Sequence, residues 1–179
     1  MIYDNNLFKN ISNAEISLYI NHIEILKKIK NEYSDGIFLI LESDAYVFPG
    51  MKFNSQILTE LINISNKLDN WDIINIGGAC IDIFSTQGYP KTNGIKINDF
   101  IFYNENRLIC IEGLIWNYKS ICKFFDLYND YNNKNNNIIF EPIDVLLDNL
   151  CEKKYLNLYW TTPCLLKQGS SSIWNSYLR

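Results

Sequence analysis

Apolar positions along this chain recur at two spacings, which together predict alternating helices and strands. Apolar residues at helical spacing run from 14 to about 30, behind a capping residue at Ser12 or Asn13, and again from 57 to 68. Continuous apolar runs at 36–41 and 71–78 are typical of buried strands, and the first is too short for an independent helix. This alternation predicts an α/β domain.

The second half of the chain continues the pattern. Its predicted elements are an apolar stretch over 108–116, a helix over about 119–128, a helix over 142–153 and a short strand over 156–160. Two segments rich in polar or turn-forming residues, 85–98 and 130–137, are predicted to be loops. The chain contains no internal repeat, and we expect one domain spanning residues 1–179.

Two acidic residues follow the first predicted strand. Glu42 and Asp44 are two positions apart, so in an extended chain their side chains project to the same side. Open α/β sheets bind ligands at the carboxyl ends of their strands, and paired carboxylates suit Mg²⁺ or Mn²⁺ carrying a phosphate-bearing substrate. The alternative is that both acids simply begin a solvated loop.

Composition excludes several classes of protein. A chain of 179 residues with 47% hydrophobic and 15% aromatic residues is not a disordered protein. Its net charge of −4 argues against a general nucleic-acid binder. Neither a membrane-spanning stretch nor a signal peptide is visible, which predicts a cytoplasmic protein without an integral membrane segment. The five dispersed cysteines are expected to be reduced packing residues.

Six short parts of the chain, in order, resemble sequence elements of one enzyme family. They are 12–15 with 20–22, 40–44, 71–77, 113–116 with 120–121, 142–144, and 172–175. These resemble, respectively, the elements NGE…LSH, EDD, WDLIYVG, AYVIS…GA, PVD and SxxW of the family 25 glycosyltransferases, which include lipooligosaccharide and procollagen galactosyltransferases. Ser43 stands at the middle acid of EDD, and Leu114 at the tyrosine of AYVIS. The family's first strand, with its INL…R signature, has no counterpart, so the domain is expected to be shortened at its N-terminus.

The resemblance implies a fold and an activity. The implied fold is GT-A-like (Rossmann-type), with a mostly parallel central sheet and helices on both faces. The implied activity is transfer of galactose or glucose from a UDP-sugar donor to a glycan or glycoprotein acceptor. Mn²⁺ or Mg²⁺ would be held by Glu42 and Asp44, and would neutralise charge developing on the diphosphate leaving group.

Five further residues are candidates for the site, either through the resemblance or through their own positions in the sequence. Asp144, the acid of the PVD-like element, is expected to be the base that accepts the proton of the acceptor hydroxyl, although it also suits a helix N-cap. Glu112, an acid inside an apolar stretch, is an alternative base or an acceptor contact. Glu15, His22 and Gly77 are predicted donor contacts. Their structural alternatives are a solvated glutamate, a hydrogen-bonded histidine on an apolar helix face, and a plain turn.

Two other functions remain open from the sequence. A chain without the nucleotide-binding strand is also consistent with a non-catalytic remnant of the fold that acts as a binding or interaction module. A metal-dependent phosphate-ester hydrolase built on the same acids is a weaker alternative, because no additional His/Asp ligand cluster accompanies them.

Overall fold

The computed structural model describes residues 11–77, 90, 92–108, 110–134 and 141–169. In these residues the chain forms four helices, α1 (Asn13–Glu32), α2 (Ser55–Ser65), α3 (Tyr118–Lys134) and α4 (Ile143–Glu152). It also forms eight strands: β1 (Ile37–Leu41), β2 (Ala45–Val47), β3 (Ile73–Asn75), β4 (Ile95–Ile97), β5 (Phe100–Glu105), β6 (Gly113–Asn117), β7 (Leu158–Thr162) and β8 (Leu166–Gln168).

Six of the strands form one mixed sheet, in the order β1-β6-β3-β7-β5-β4, and β2 pairs with β8 separately. Within the described part of the chain, only the β3–β7 pair of this sheet is parallel, and its other four neighbouring pairs are antiparallel. The expectation of a mostly parallel sheet is therefore wrong. The physical reason is that β6 inserts between β1 and β3, and β5 joins β7, each running opposite to its neighbours.

Helices cover both faces of this sheet. One buried cluster joins α1, α3 and α4 to inward residues such as Ile73 and Trp160. The other joins α2 to residues that include Ile74 and Phe102. Consecutive residues of a strand point to opposite faces, so the assignment of Ile73 and Ile74 to different clusters places the two layers on opposite sides. The α/β class and the two-sided arrangement of helices agree with the sequence prediction.

The boundaries of several elements differ from those predicted. Strands β2, β4, β5 and β8 were not predicted, and β4 lies inside the segment 85–98 that was expected to be a loop. Residues 130–134, also expected to be a loop, complete the last turns of α3. The segment 172–175, residues 135–137 and Cys80 lie outside the described residues. The four described cysteines are not joined by disulfide bonds: Cys110, Cys122, Cys151 and Cys164.

None of the helices in the described ranges is long and apolar enough to cross a membrane.

Candidate active site

The antiparallel pairing of β1 with β6 brings two predicted acids together. Leu41 at the end of β1 pairs with Gly113 at the start of β6, so Glu42 and Glu112 are the next residues across the pair. The Glu42 N–H donates to the Glu112 carbonyl oxygen at 3.1 Å, which extends the ladder by one bond. Residues that are 70 positions apart in sequence therefore become neighbours at the carboxyl end of β1.

Asp44 lies in the tight turn that follows. The Ala45 N–H donates to the Glu42 carbonyl at 3.1 Å, which folds the chain back into β2. The Asp44 carbonyl accepts from the Gly169 N–H at 2.9 Å, next to the pairing of β2 with β8. The loop that carries the two acids is thus held at both ends by backbone hydrogen bonds.

The carboxyl group of Glu42 has a strongly perturbed acidity. Burial, together with the smaller effect of the nearby charges of Asp44, Glu112 and Asp144, raises its pKa from an ordinary value of 4.5 to about 8. Three acids, which lie in the turn after β1, just before β6 and in α4, thus act on the carboxyl group of Glu42. Such groups are frequent at functional sites because chemistry requires perturbed acids and bases, although structural networks also produce them.

Gly77 and Glu112 are in direct contact. Glu112 is completely buried, and a Cβ atom placed on Gly77 would lie 2.6 Å from the Glu112 carboxyl carbon. The absence of a side chain at Gly77 therefore makes room for the Glu112 carboxyl group. The Gly77 N–H donates to the side-chain oxygen of Asn75 at 2.8 Å, so this N–H already has a hydrogen-bond partner within the protein.

Asp144 lies in the first turn of α4, but it is not the N-cap residue. The cap position is Pro142, and the Asp144 carboxylate accepts from the Val145 N–H at 2.9 Å. Asp144 is half-buried, and burial raises its pKa, with smaller contributions from the charges of Glu15 and Asp148. The structural alternative offered for this residue, a helix N-cap, is thus wrong.

Glu15 has a clear role at the start of α1. The Ser12 N–H and hydroxyl both donate to its carboxylate, at 2.8 and 2.6 Å, and the Glu15 N–H donates back to the Ser12 hydroxyl at 3.3 Å. This capping box lowers the pKa of Glu15, chiefly through the Ser12 side chain. The carboxylate that was predicted to contact a donor is thus also part of the helix cap.

His22 is buried on the inner face of α1, with 4% of its surface exposed. Burial lowers its pKa, while the nearby charge of Asp144 acts in the opposite direction. The electrostatic interactions therefore connect His22 and Glu15, through Asp144, to the acids around Glu42. The seven predicted site residues are thus linked pairwise, by charge interactions or by the contact between Gly77 and Glu112.

A cleft of about 710 Å³ lies between α1 and the end of β1. His22, Glu42 and Ser43 line it together with apolar residues that include Leu18, Ile25 and Ile40. A cleft of this size accommodates a small organic ligand, with apolar walls and a few polar groups to orient it. We refer to it below as the α1–β1 cleft.

One residue of this region was missed by the sequence analysis. Asn75 is 1% exposed, and its side chain links two segments by accepting from the nearby Gly77 N–H and donating to the Cys110 carbonyl at 3.3 Å. It therefore positions the Gly77–Glu112 contact. The sequence did contain a signal for this residue, since Asn75 is the single amide residue inside the apolar run 73–76. A buried polar group requires hydrogen-bond partners, so such a residue is expected to connect parts of the structure.

No family model matches the sequence, and comparison with curated proteins finds no significant match. The resemblance to family 25 glycosyltransferases therefore stays a prediction that rests on the six short segments.

Proposed function

We propose that this chain is a metal-dependent hexosyltransferase that transfers galactose or glucose from a UDP-sugar to a hydroxyl group of a glycan or glycoprotein. The observation that carries the proposal is Glu42, which lines the α1–β1 cleft and interacts with the charges of Asp44, Glu112 and Asp144. A GT-A-type fold and membership of glycosyltransferase family 25 belong to the same proposal. Their support is the resemblance of the six segments, together with a sheet that carries acids at the end of β1.

Glu42 and Asp44 are the residues we expect to hold Mn²⁺ or Mg²⁺. Their carboxyl oxygens are the hard ligands that these ions prefer, and a cation would offset the repulsion that raises the pKa of Glu42. In the described residues, no group of three or more His, Cys, Asp or Glu side chains is arranged to hold a metal ion. Two carboxylates are enough for an ion that completes its coordination with water and diphosphate oxygens.

The bound cation would neutralise negative charge that develops on the departing diphosphate. The protein supplies a base for the acceptor hydroxyl, and burial makes Asp144 a better base by raising its pKa. Glu112 is completely buried against Gly77, whereas Asp144 is only half-buried. We therefore assign proton acceptance to Asp144, and assign to Glu112 the role of setting the charge around Glu42.

The proposal is tested by calorimetric titration of UDP into the purified protein, first with Mn²⁺ and then with EDTA. We expect binding that requires the metal, and an affinity at least about tenfold lower in Asp44→Asn because one metal ligand becomes neutral. Asp126→Asn is the matched control, since Asp126 is exposed on α3. Its affinity for UDP should equal that of the wild-type protein.

Turnover of UDP-galactose and UDP-glucose, measured by release of UDP, would then identify the donor. If the folded wild-type protein binds no UDP with Mn²⁺ present, the transferase proposal is wrong. A non-catalytic relative that serves as a binding module would then describe the chain better. Equal loss of binding in Asp44→Asn and Asp126→Asn would also contradict the assigned metal site.

A further inference from the structure

Strand β1 lies at one end of the six-stranded sheet, and within the described residues no strand pairs with its outer side. Towards β6, the Gly36 carbonyl accepts a hydrogen bond at 2.9 Å just before the strand, and the Glu42 N–H donates one at 3.1 Å just after it. Residues of an antiparallel pair alternate between bonded and non-bonded positions. The N–H and C=O groups of Ile37, Leu39 and Leu41 therefore point away from β6, along the outer side.

The two ends of the sheet differ in how they are protected against pairing with another chain. Strand β4, at the opposite end, has only three residues, and its middle residue is the charged Lys96. Short length and charge are common means by which proteins block an edge strand. Strand β1 has five residues, Ile37–Leu41, and all of them are apolar. Among the described residues, β1 is therefore an edge that is open to a further strand.

Exposed apolar side chains accompany this edge. Leu41 is 46% exposed and Ile25 is 43% exposed, and both line the α1–β1 cleft. Tyr33, which is 54% exposed, lies before the other end of β1, where its ring and that of Phe38 are 5.1 Å apart between centroids. Exposed apolar surface beside unpaired strand groups is typical of a surface that another polypeptide covers.

The two faces of β1 determine which side chains suit an added strand. Ile37 and Leu39 pack against the cluster on the α2 side, whereas Phe38 and Ile40 pack in the cluster on the α1 side. A strand beside β1 continues both layers, so apolar residues at consecutive positions suit it best. Two acids and two lysines of α1 line the cleft, so their charges balance and favour an uncharged segment.

We infer that the outer side of β1 binds an extended, uncharged apolar segment of another protein, which adds to the sheet as a further strand. The segment fills the part of the α1–β1 cleft beside Ile40 and Leu41, whereas Glu42 lies beyond the end of β1. The inference goes beyond the proposed function and does not depend on it.

A second copy of this chain suits the same edge less well. If two β1 strands paired antiparallel, the two-fold axis between them would be perpendicular to the sheet. Both α1 helices would then lie on the same face, beside the new strand pair, because α1 forms the other wall of this cleft. A single extended segment brings no second helix to that place.

Hydrogen exchange of individual backbone amides, followed by NMR, tests the inference. In the free protein we expect fast exchange at Leu39 and Leu41, and slow exchange at Phe38 and Ile40, whose N–H groups bond to β6. The probe is a synthetic peptide with the sequence of residues 111–119, which contains β6, the strand that β1 already pairs with on its inner side. The bound peptide should slow exchange at Leu39 and Leu41 at least about tenfold and leave the other two amides unchanged.

The control peptide carries Ile115→Pro, because proline interrupts the hydrogen bonds of a strand. It should leave all four exchange rates unchanged. Slow exchange at Leu39 and Leu41 in the free protein would overturn the inference, because the edge would already be covered. If that free protein is also a dimer by light scattering, the occupant is a second copy. Unchanged exchange at both residues with saturating wild-type peptide would overturn the inference as well.

Variants of the protein provide a second measurement. Leu41→Lys places a charge at the open edge, and the exposure of Leu41 keeps the buried core intact. The variant should bind the peptide at least about tenfold more weakly by calorimetry. Ile95→Lys is the matched control, because Ile95 is 47% exposed on the opposite edge strand, β4, and its affinity should equal that of the wild-type protein. Equal affinities in Leu41→Lys and the wild-type protein would contradict the inference.

These measurements separate failure of the inference from failure of the proposed function. None of them uses a nucleotide or a metal ion. A protein that binds UDP but shows no protection by the peptide would overturn only the inference. A protein that shows the alternating protection but binds no UDP would overturn only the transferase proposal.

Discussion

Glu42 is partly buried and lies near the charges of three other acids. Its pKa in the folded protein is about 8, compared with 4.5 for an ordinary glutamate. Between these two pH values the folded state retains a proton that the unfolded state has released. The contribution of this proton to stability is fully present below pH 4.5 and is lost as the pH rises to about 8.

We therefore predict that Glu42→Gln removes a pH-dependent loss of stability. In the wild-type protein, the free energy of unfolding should fall between pH 4.5 and about 8. This fall amounts to about 1.4 kcal/mol for each unit by which the pKa of Glu42 in the folded state exceeds its pKa in the unfolded state. Glutamine does not titrate, so the variant should have a flatter profile, as measured by urea unfolding over this pH range without metal.

The matched control is Glu152→Gln, because Glu152 is an exposed glutamate at the end of α4. Its pH profile should follow that of the wild-type protein. Identical profiles for wild type and Glu42→Gln would mean that Glu42 is ionised in the folded state, and would contradict the charge repulsion on which the metal assignment depends.

At the scale of elements, α1 carries both an N-terminal capping box and candidate site residues. Its capping box is formed by Ser12 and Glu15, which satisfy N–H groups that the first turn leaves without intrahelical partners. The same helix positions His22 over the sheet. The stability of its first turn and the shape of the α1–β1 cleft are therefore linked through one element.

We predict that Ser12→Ala lowers the free energy of unfolding by about 1 kcal/mol, the usual cost of losing an N-cap side chain. Thermal or urea unfolding measures this directly. Ser17→Ala is the control, since Ser17 is exposed in the middle of α1 and alanine is a better helix former than serine. If Ser12→Ala lowers the free energy of unfolding no more than Ser17→Ala does, the N-cap side chain contributes nothing to stability.

Element prediction succeeded where the signal was local. Periodicity and an N-cap placed α1 within two residues, and the continuous apolar run placed β1 with its acids. The short strands β2 and β8 were missed because each has only three residues, and they are stabilised by pairing with each other. Strand β4 is exposed on two of its three residues, so it carries no buried apolar run.

At the scale of the whole molecule, Asp72 connects three separate segments. It lies just before β3 and is 7% exposed. Its carboxylate accepts hydrogen bonds from the Ser120 hydroxyl at 2.7 Å, the Lys123 ammonium at 2.6 Å and the Asn157 N–H at 2.8 Å. The network therefore joins the β3 strand to α3 and to the turn that leads into β7.

We predict that Asp72→Ala lowers the free energy of unfolding by about 2–4 kcal/mol, because the Asn157 N–H and the Ser120 hydroxyl lose a charged acceptor. Lys123→Ala should cost less than about 1 kcal/mol, since the lysine side chain is 44% exposed and the ion pair is screened. Urea unfolding of both variants separates the buried hydrogen bonds from the ion pair.

The control for this pair is Asp69→Ala, because Asp69 is an exposed aspartate three residues earlier. It should change stability little. If Asp72→Ala lowers the free energy of unfolding no more than Lys123→Ala does, the hydrogen bonds from Asp72 to α3 and to the turn before β7 do not stabilise the fold as predicted.

The sequence by itself determined the α/β class, the main helices, β1 and the identity of the acids that end it. These are local properties, because spacing of apolar residues and capping act within a few positions. It also marked Glu112 and Asp144 as unusual acids. Their individual roles remained open, and nothing local indicated that they meet Glu42.

Only the tertiary structure decided the direction and order of the strands and the composition of the site. Alternating helices and strands suggest parallel crossovers, yet β6 pairs antiparallel with β1 from more than 70 residues away. That pairing places Glu112 beside Glu42, and the packing of α1 and α4 adds His22 and Asp144. The physical reason is that strand pairing is chosen by burial over the whole chain, which no short window of sequence contains.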